Sequence, residues 1–228
     1  MSKAFEIVEE VQINGTPERI WEAVTTGTAA WMFPTDQWPA VRVVDEYPTH
    51  LVTRMDGAEG WFNQVEHLLA PQGTGTAMRY VHSGIFVEDW NNQYDGASKH
   101  TVFYLHTLGQ YLSYFDGKPV AFSDIQGPEA STAPEALDTW LSALGITNEM
   151  QGAELDLELP GFGTGPVIVD FRNENFVGLR TRHAMVRIFG RNAFGAPVGV
   201  SVHDFTPGAD AQANTEVWQE AIEAAFRS

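Results

Sequence analysis

His82 is the residue whose type and surroundings most directly invite chemistry. It lies in the alternating run 76–85, and strand side chains point to opposite faces in turn, so Met78, Tyr80 and His82 share one face. An imidazole changes charge near neutral pH, so a histidine there can donate to a ligand carbonyl or move a proton. Tyr80 or Tyr104 would then polarise a carbonyl beside it. The same placement also fits a core histidine bonded to the backbone or to Tyr104. His203, which closes the run 198–202, occupies the matching place in the second half of the chain.

Aromatic residues are distributed unevenly. All six tyrosines and five of the seven tryptophans fall between Trp21 and Tyr114. Tyr and Trp join a large apolar face to a polar tip, the combination a pocket for a mostly hydrophobic ligand requires. Trp21 shares an apolar helical stripe with Ile20 and Val24 and belongs to the core. Trp31, Phe33, Trp38, Trp90 and Tyr94 sit beside Pro and Asp in segments that cannot bury every ring, so they are placed at a pocket rim. With Trp61, Met78, Tyr80, His82, Tyr104 and Leu108 they make up the candidate ligand-binding set.

Other chemistries find little support. The chain has no cysteine, which excludes disulfides, thiol nucleophiles and thiolate metal sites. His100 and His106 are six residues apart on a helical pattern and point in different directions, and no compact His/Asp/Glu spacing completes a metal site. Ser83, His82 and Asp89 would make a triad only if adjacent strand residues shared a face, which they do not. Gly161-Phe162-Gly163-Thr164-Gly165-Pro166 resembles a phosphate loop but leads into proline rather than a helix, so it is expected to be a mobile hairpin loop. Arg172, Arg180, Arg182, Arg187 and Arg191 could receive an anion, or form a solvated face balancing Asp170 and Glu174. The formal net charge of −17 disfavours nucleic acid as a partner. It is evenly spread, −8 over residues 1–120 and −9 over 121–228.

These residues need elements to position them. Residues 5–13 alternate as a half-buried strand ending at Asn14-Gly15, and Thr16-Pro17-Glu18 opens a short helix. Residues 28–40 form a bulky aromatic loop or helical turn. Runs 41–47 and 50–55 form one hairpin, and 61–70 and 76–85 a second. Helical spacing then persists over 95–116, the longest element. Residues 117–133 gain Gly and Pro as a linker would, and Thr132-Ala133-Pro134-Glu135 reads as a capping box opening a helix to Leu144. Strand-like runs follow at 154–159, 167–171, 176–182, 186–189 and 198–202, before a final helix over 211–226. The element order thus repeats. Phe5 and Phe122 each precede a Pro-Glu pair by 12 residues, which suggests a degenerate internal repeat.

The first half resembles the START-like helix-grip superfamily, SRPBCC, and within it the branch named after activators of heat-shock-protein ATPase. The residues that carry the likeness are Ile13-Asn14-Gly15-Thr16-Pro17-Glu18-Arg19-Ile20-Trp21, then Trp31-Met32-Phe33-Pro34. Gly73-Thr74-Gly75-Thr76 with Arg79-Tyr80-Val81-His82-Ser83-Gly84, and Leu108-Gly109-Gln110-Tyr111-Leu112, complete them. The resemblance covers about residues 5–116 well and 120–228 weakly. It implies an α+β helix-grip fold: a curved antiparallel sheet wrapped around a long C-terminal helix, with an apolar cavity between them. A degenerate second copy of that topology would follow, dividing the chain into 1–118 and 119–228. It also implies a small hydrophobic molecule as partner, with His82 and Tyr104 as orienting groups. A cyclase or dehydratase using His82 as acid/base, and a co-chaperone or protein-binding module, are its alternatives. No cofactor is expected, nor a membrane span or nucleic acid. No apolar leader opens the chain, so a cytoplasmic monomer or homodimer is expected.

Overall fold

The computed structural model describes residues 2–227, which fall into two compact units divided between Asp116 and Gly117. In the first, β1 (Lys3–Ile13) buries Phe5, Ile7 and Ile13 and exposes Glu6 and Glu10, the period of two that a half-buried strand requires. The Thr16 hydroxyl accepts from the Arg19 N–H to cap α1 (Pro17–Thr25), and proline fills the first turn, where its missing N–H costs nothing. Ile20, Trp21 and Val24 form the buried stripe of α1. A single 3-10 turn at Thr28–Ala30 leads into the aromatic loop.

Four strands then run as an antiparallel meander: β2 (Val41–Glu46), β3 (His50–Asp56), β4 (Phe62–Gln72) and β5 (Gly75–Phe86). β1 pairs with β5, so the sheet order is β1-β5-β4-β3-β2. The unit closes with α2 (Trp90–Tyr114), which buries Thr101, Leu105, Leu108 and Leu112 at helical spacing. This helix begins five residues before the expected start. Its cap, Asp89, has a left-handed backbone (φ 43°) and makes no side-chain capping bond, so no start signal marks the boundary.

The second unit repeats the plan with one more strand. β6 (Ala121–Gln126) is followed by a 3-10 turn at Glu129–Thr132, α3 (Ala136–Ala143), β7 (Glu154–Leu159), β8 (Gly163–Arg172), β9 (Phe176–Arg180), β10 (Ala184–Phe189), β11 (Gly199–Asp204) and α4 (Ala211–Ala225). Its order is β6-β11-β10-β9-β8-β7: the first strand again pairs with the last, and the rest meander away. The architecture is α+β, two antiparallel sheets each followed by a C-terminal helix. None of the described helices is long and apolar enough to cross a membrane.

Four expectations are corrected here. Residues 117–133 are not a linker, because they contain β6. Thr132 does not cap α3: its hydroxyl donates to the Glu129 carbonyl within the 3-10 turn, and the helix starts at Ala136 after an uncapped Glu135. The glycine run at 161–165 does form a hairpin, as expected, but as a tight turn passing directly into β8 rather than a loop, with Gly163 paired to Leu159 and Gly165 to Leu157. His203 is no counterpart of His82. Val200 and Val202 belong to the second unit's core, so His203 faces the other side of β11 and pairs with Phe122.

The two interiors differ. In the second unit Trp140 and Leu141 of α3 and Trp218 and Ile222 of α4 pack with Val169, Leu179, Val186, Ile188 and Val202 in a continuous apolar core. Burying each such side chain contributes about 1.5–3 kcal/mol. In the first unit the corresponding space is partly hollow.

Candidate ligand-binding cavity

The hollow measures about 510 Å³ and is lined by the inner face of β2–β5, by α2 and by the segment 24–40. Register decides which strand residues reach it. On β4 the inward series is Asn63, Val65, His67 and Leu69. Across the neighbouring pairs Val65 opposes His82, and His67 opposes both Tyr80 and Leu51. On α2 the contributing residues are Ala97, His100, Thr101, Tyr104 and Leu105, spaced three and four apart on one face. The loop supplies Trp31, Phe33 and Trp38. Trp31 is an interior wall, 3% exposed, with its indole N–H donated to the Ala23 carbonyl at 2.9 Å. Phe33 bridges Trp38 (5.3 Å between ring centres) and Tyr104 (5.9 Å), and Trp38 is 51% exposed, which makes this cluster the mouth.

His82 is held from two sides. The Asn63 amide N–H donates to Nε2 at 3.0 Å, and the Phe5 ring meets the imidazole edge-on at 4.9 Å. Gly84 makes room for that ring: a Cβ there would lie 2.9 Å from Phe5 Cε1 and 2.6 Å from the Phe62 carbonyl. Because Nε2 accepts, the neutral ring carries its proton on Nδ1. Burial pushes the pKa of His82 down to about 4. An imidazole of that pKa stays neutral and is a weak base near pH 7, which counts against general-base duty.

His67 was not anticipated. It is 6% exposed, burial holds its pKa at about 4, and its Nδ1 has no hydrogen-bond partner. The signal that locates it is a histidine interrupting an apolar alternation, between Val65 and Leu69. Its ring meets Tyr80 edge-on at 5.3 Å. Burial raises the Tyr80 pKa, opposed in part by a hydrogen bond with Thr101, so the phenol remains protonated. Asn63, Thr101 and His100 were also missed. Arg42 is the one Asp, Glu, Lys or Arg among the described residues of the lining; it is largely exposed and paired with Asp45 at 3.0 Å.

The structure therefore gathers Trp31, Phe33, Trp38, Trp61, Tyr80, His82 and Tyr104 around one space. It leaves out four of the expected residues. Met78 and Leu108, at 1% and 0% exposure, are packed into solid core beyond the cavity. Trp90 and Tyr94 lie on the first turns of α2 rather than in a loop. Their rings stack at 4.7 Å, Trp90 donates to the Ala4 carbonyl, Tyr94 to that of Glu6, and Lys3 covers Trp90. They fasten the helix to β1. The arginines likewise form no single anion site. Arg187 is buried in a bidentate pair with Asp170, while Arg172 donates to the Thr147 carbonyl and Arg191 stacks on Phe189. No group of three or more His, Cys, Asp or Glu among the described residues is placed to hold a metal ion.

A first strand paired to the last, a meander between them and a closing helix over a lined cavity define a helix-grip fold. Among solved structures the chain is similar to protein MLL2253 from Mesorhizobium loti, at 24% identity, TM-score 0.42, over 49% of this chain and 99% of that one. It is similar to Aha1 from Colwellia psychrerythraea, solved as a dimer, at 15% identity, TM-score 0.40, over 50% and 99%. DynU16, described as a putative protein in the dynemicin biosynthetic locus, aligns over 97% of this chain and 95% of its own, at 16% identity and TM-score 0.38. No family model matches the chain, and no curated protein sequence matches it.

Proposed function

We propose that the first unit binds a small, mostly apolar molecule in the cavity between its sheet and α2. The observation that carries this reading is the lining: aromatic and aliphatic walls, a handful of neutral polar groups, and a lone Arg42 at the exposed edge already satisfied by Asp45. A pocket of this size and composition suits a ligand that gives up water on most of its surface and is oriented by a few hydrogen bonds. His82, fixed by Asn63, and Tyr80 are the orienting groups, with Tyr104 closer to the mouth.

Native mass spectrometry tests the reading directly. A discrete excess of roughly a few hundred daltons, lost on denaturation, is expected for a ligand of the size such pockets hold. Uptake of the neutral fluorophore N-phenyl-1-naphthylamine should fall in Ala97→Phe, which fills the space from α2. A bare mass combined with equal uptake in both proteins would overturn the proposal.

A further inference from the structure

His67 is 6% exposed, lines the cavity, and keeps Nδ1 without a partner. A buried polar atom left unpaired costs folding free energy, and phenylalanine would fill much the same space without that cost. The residue therefore has no evident task in holding the fold together. It is also sealed from solvent, at 6% exposure, whereas Trp38 at the mouth is 51% exposed.

We propose that His67 is the recognition group of the cavity, and that its ligand is an uncharged molecule whose hydroxyl or carbonyl oxygen enters first, leaving an apolar body against Phe33, Trp38 and Tyr104. The inference rests on the binding role proposed above. A neutral imidazole offers one N–H donor and one acceptor, which a hydroxyl can match in both senses and a carbonyl in one. A carboxylate entering beside His67 would shed water without meeting an unpaired cation, since Arg42, the one cation of the described lining, sits at the exposed edge and is paired with Asp45. Burial also resists protonation of the ring, so His67 does not become that cation.

Three probes with one apolar body separate the possibilities: 2-naphthol, naphthalene and 2-naphthoate, measured against the full chain by equilibrium dialysis at pH 7.5. The expected result is 2-naphthol binding about tenfold tighter than naphthalene, the worth of one well-made buried hydrogen bond, with 2-naphthoate weakest. His67→Phe should abolish the preference, leave naphthalene affinity within about twofold, and unfold at no lower temperature than the parent. His67→Leu serves in its place should the phenylalanine variant fail to fold. Equal binding of naphthol and naphthalene, a preference for naphthoate, or a naphthol preference that survives both substitutions would overturn the assignment while leaving the cavity reading intact. Binding of none of the three would overturn both.

Discussion

A histidine buried without a charged neighbour is a liability in acid, and the first unit has two. The pKa values of His67 and His82 fall from 6.5 to about 4, in each case because burial disfavours the charged ring. Above pH 6.5 both rings are neutral in the folded and unfolded chain and contribute no pH dependence. Between 6.5 and about 4 the unfolded chain takes up protons that the folded one refuses, so stability falls as pH falls, and it levels off below 4. For His67 the loss across the window is about 3 kcal/mol. Urea midpoints of the parent and His67→Phe at several pH values should diverge over this range and run parallel above it. The second unit has its own sensitive pair. A Cβ on Gly178 would fall 2.1 Å from Arg187 Nη1 and 2.3 Å from Asp170 Oδ1, so only glycine leaves room for this buried ion pair. Arg187→Met, which removes the bidentate partner of the buried Asp170 carboxylate, should cost about 3–5 kcal/mol in chemical denaturation.

Helix starts show how far local signals carry. Asp210 caps α4 with its carboxylate, accepting from the N–H groups of Gln212 and Ala213 at 2.8 and 3.3 Å. Thr132 has the right spacing for a cap, but its hydroxyl is engaged one turn upstream. Asp210→Ala should therefore destabilise by about 1 kcal/mol, and Thr132→Ala should stay within about 0.5 kcal/mol of the parent, as thermal unfolding of the two variants will show. Strands are legible where one face is mostly apolar: β1 follows from Phe5, Ile7, Val11 and Ile13, despite Glu9 on the same face, and β7 from its alternation of Leu with acid. β6 is not, and the reason is physical. Its inward residues are Ser123 and Ile125, the serine satisfied by the Ala211 carbonyl, while Phe122 points outward, so the alternation is inverted at its most visible residue. The same limit governs the site. The loop aromatics stand out by composition and the β5 face by alternation, but the pairing of His67 with Tyr80 is fixed by a register between β4 and β5 that neither strand encodes alone. Trp90 and Tyr94 escape a sequence reading of the helix because α2 starts at Trp90 and its cap, Asp89, makes no side-chain capping bond.

At the scale of the whole chain, one topology is used twice with different interiors. In the second unit, paired tryptophans, with ring centres 6.3 Å apart, and the valine-rich sheet pack a solid centre, and a cleft opens to solvent at the edge where α3, β7 and α4 meet. In the first unit that space is open. Ligand binding stabilises whatever encloses the ligand. Hydrogen exchange of the full chain with and without 2-naphthol should therefore slow amides of β4, β5 and α2, and leave those of β9, β10 and α4 unchanged. Protection spread evenly over both units would contradict binding in the cavity of the first.

The placement of indoles makes the molecule its own optical gauge. Trp31, Trp38 and Trp61 line the cavity, whereas Trp140 and Trp218 are sealed in the second core at 1% and 0% exposure. Emission from indoles in dry, apolar surroundings lies toward the blue, and that from a half-exposed ring such as Trp38 toward the red. An occupant of the cavity will dim or shift the red emission of Trp38 most, while Trp140 and Trp218 keep supplying blue emission that it does not touch. The ratio of the two reports occupancy without a label, and without knowing how much protein is in the cuvette.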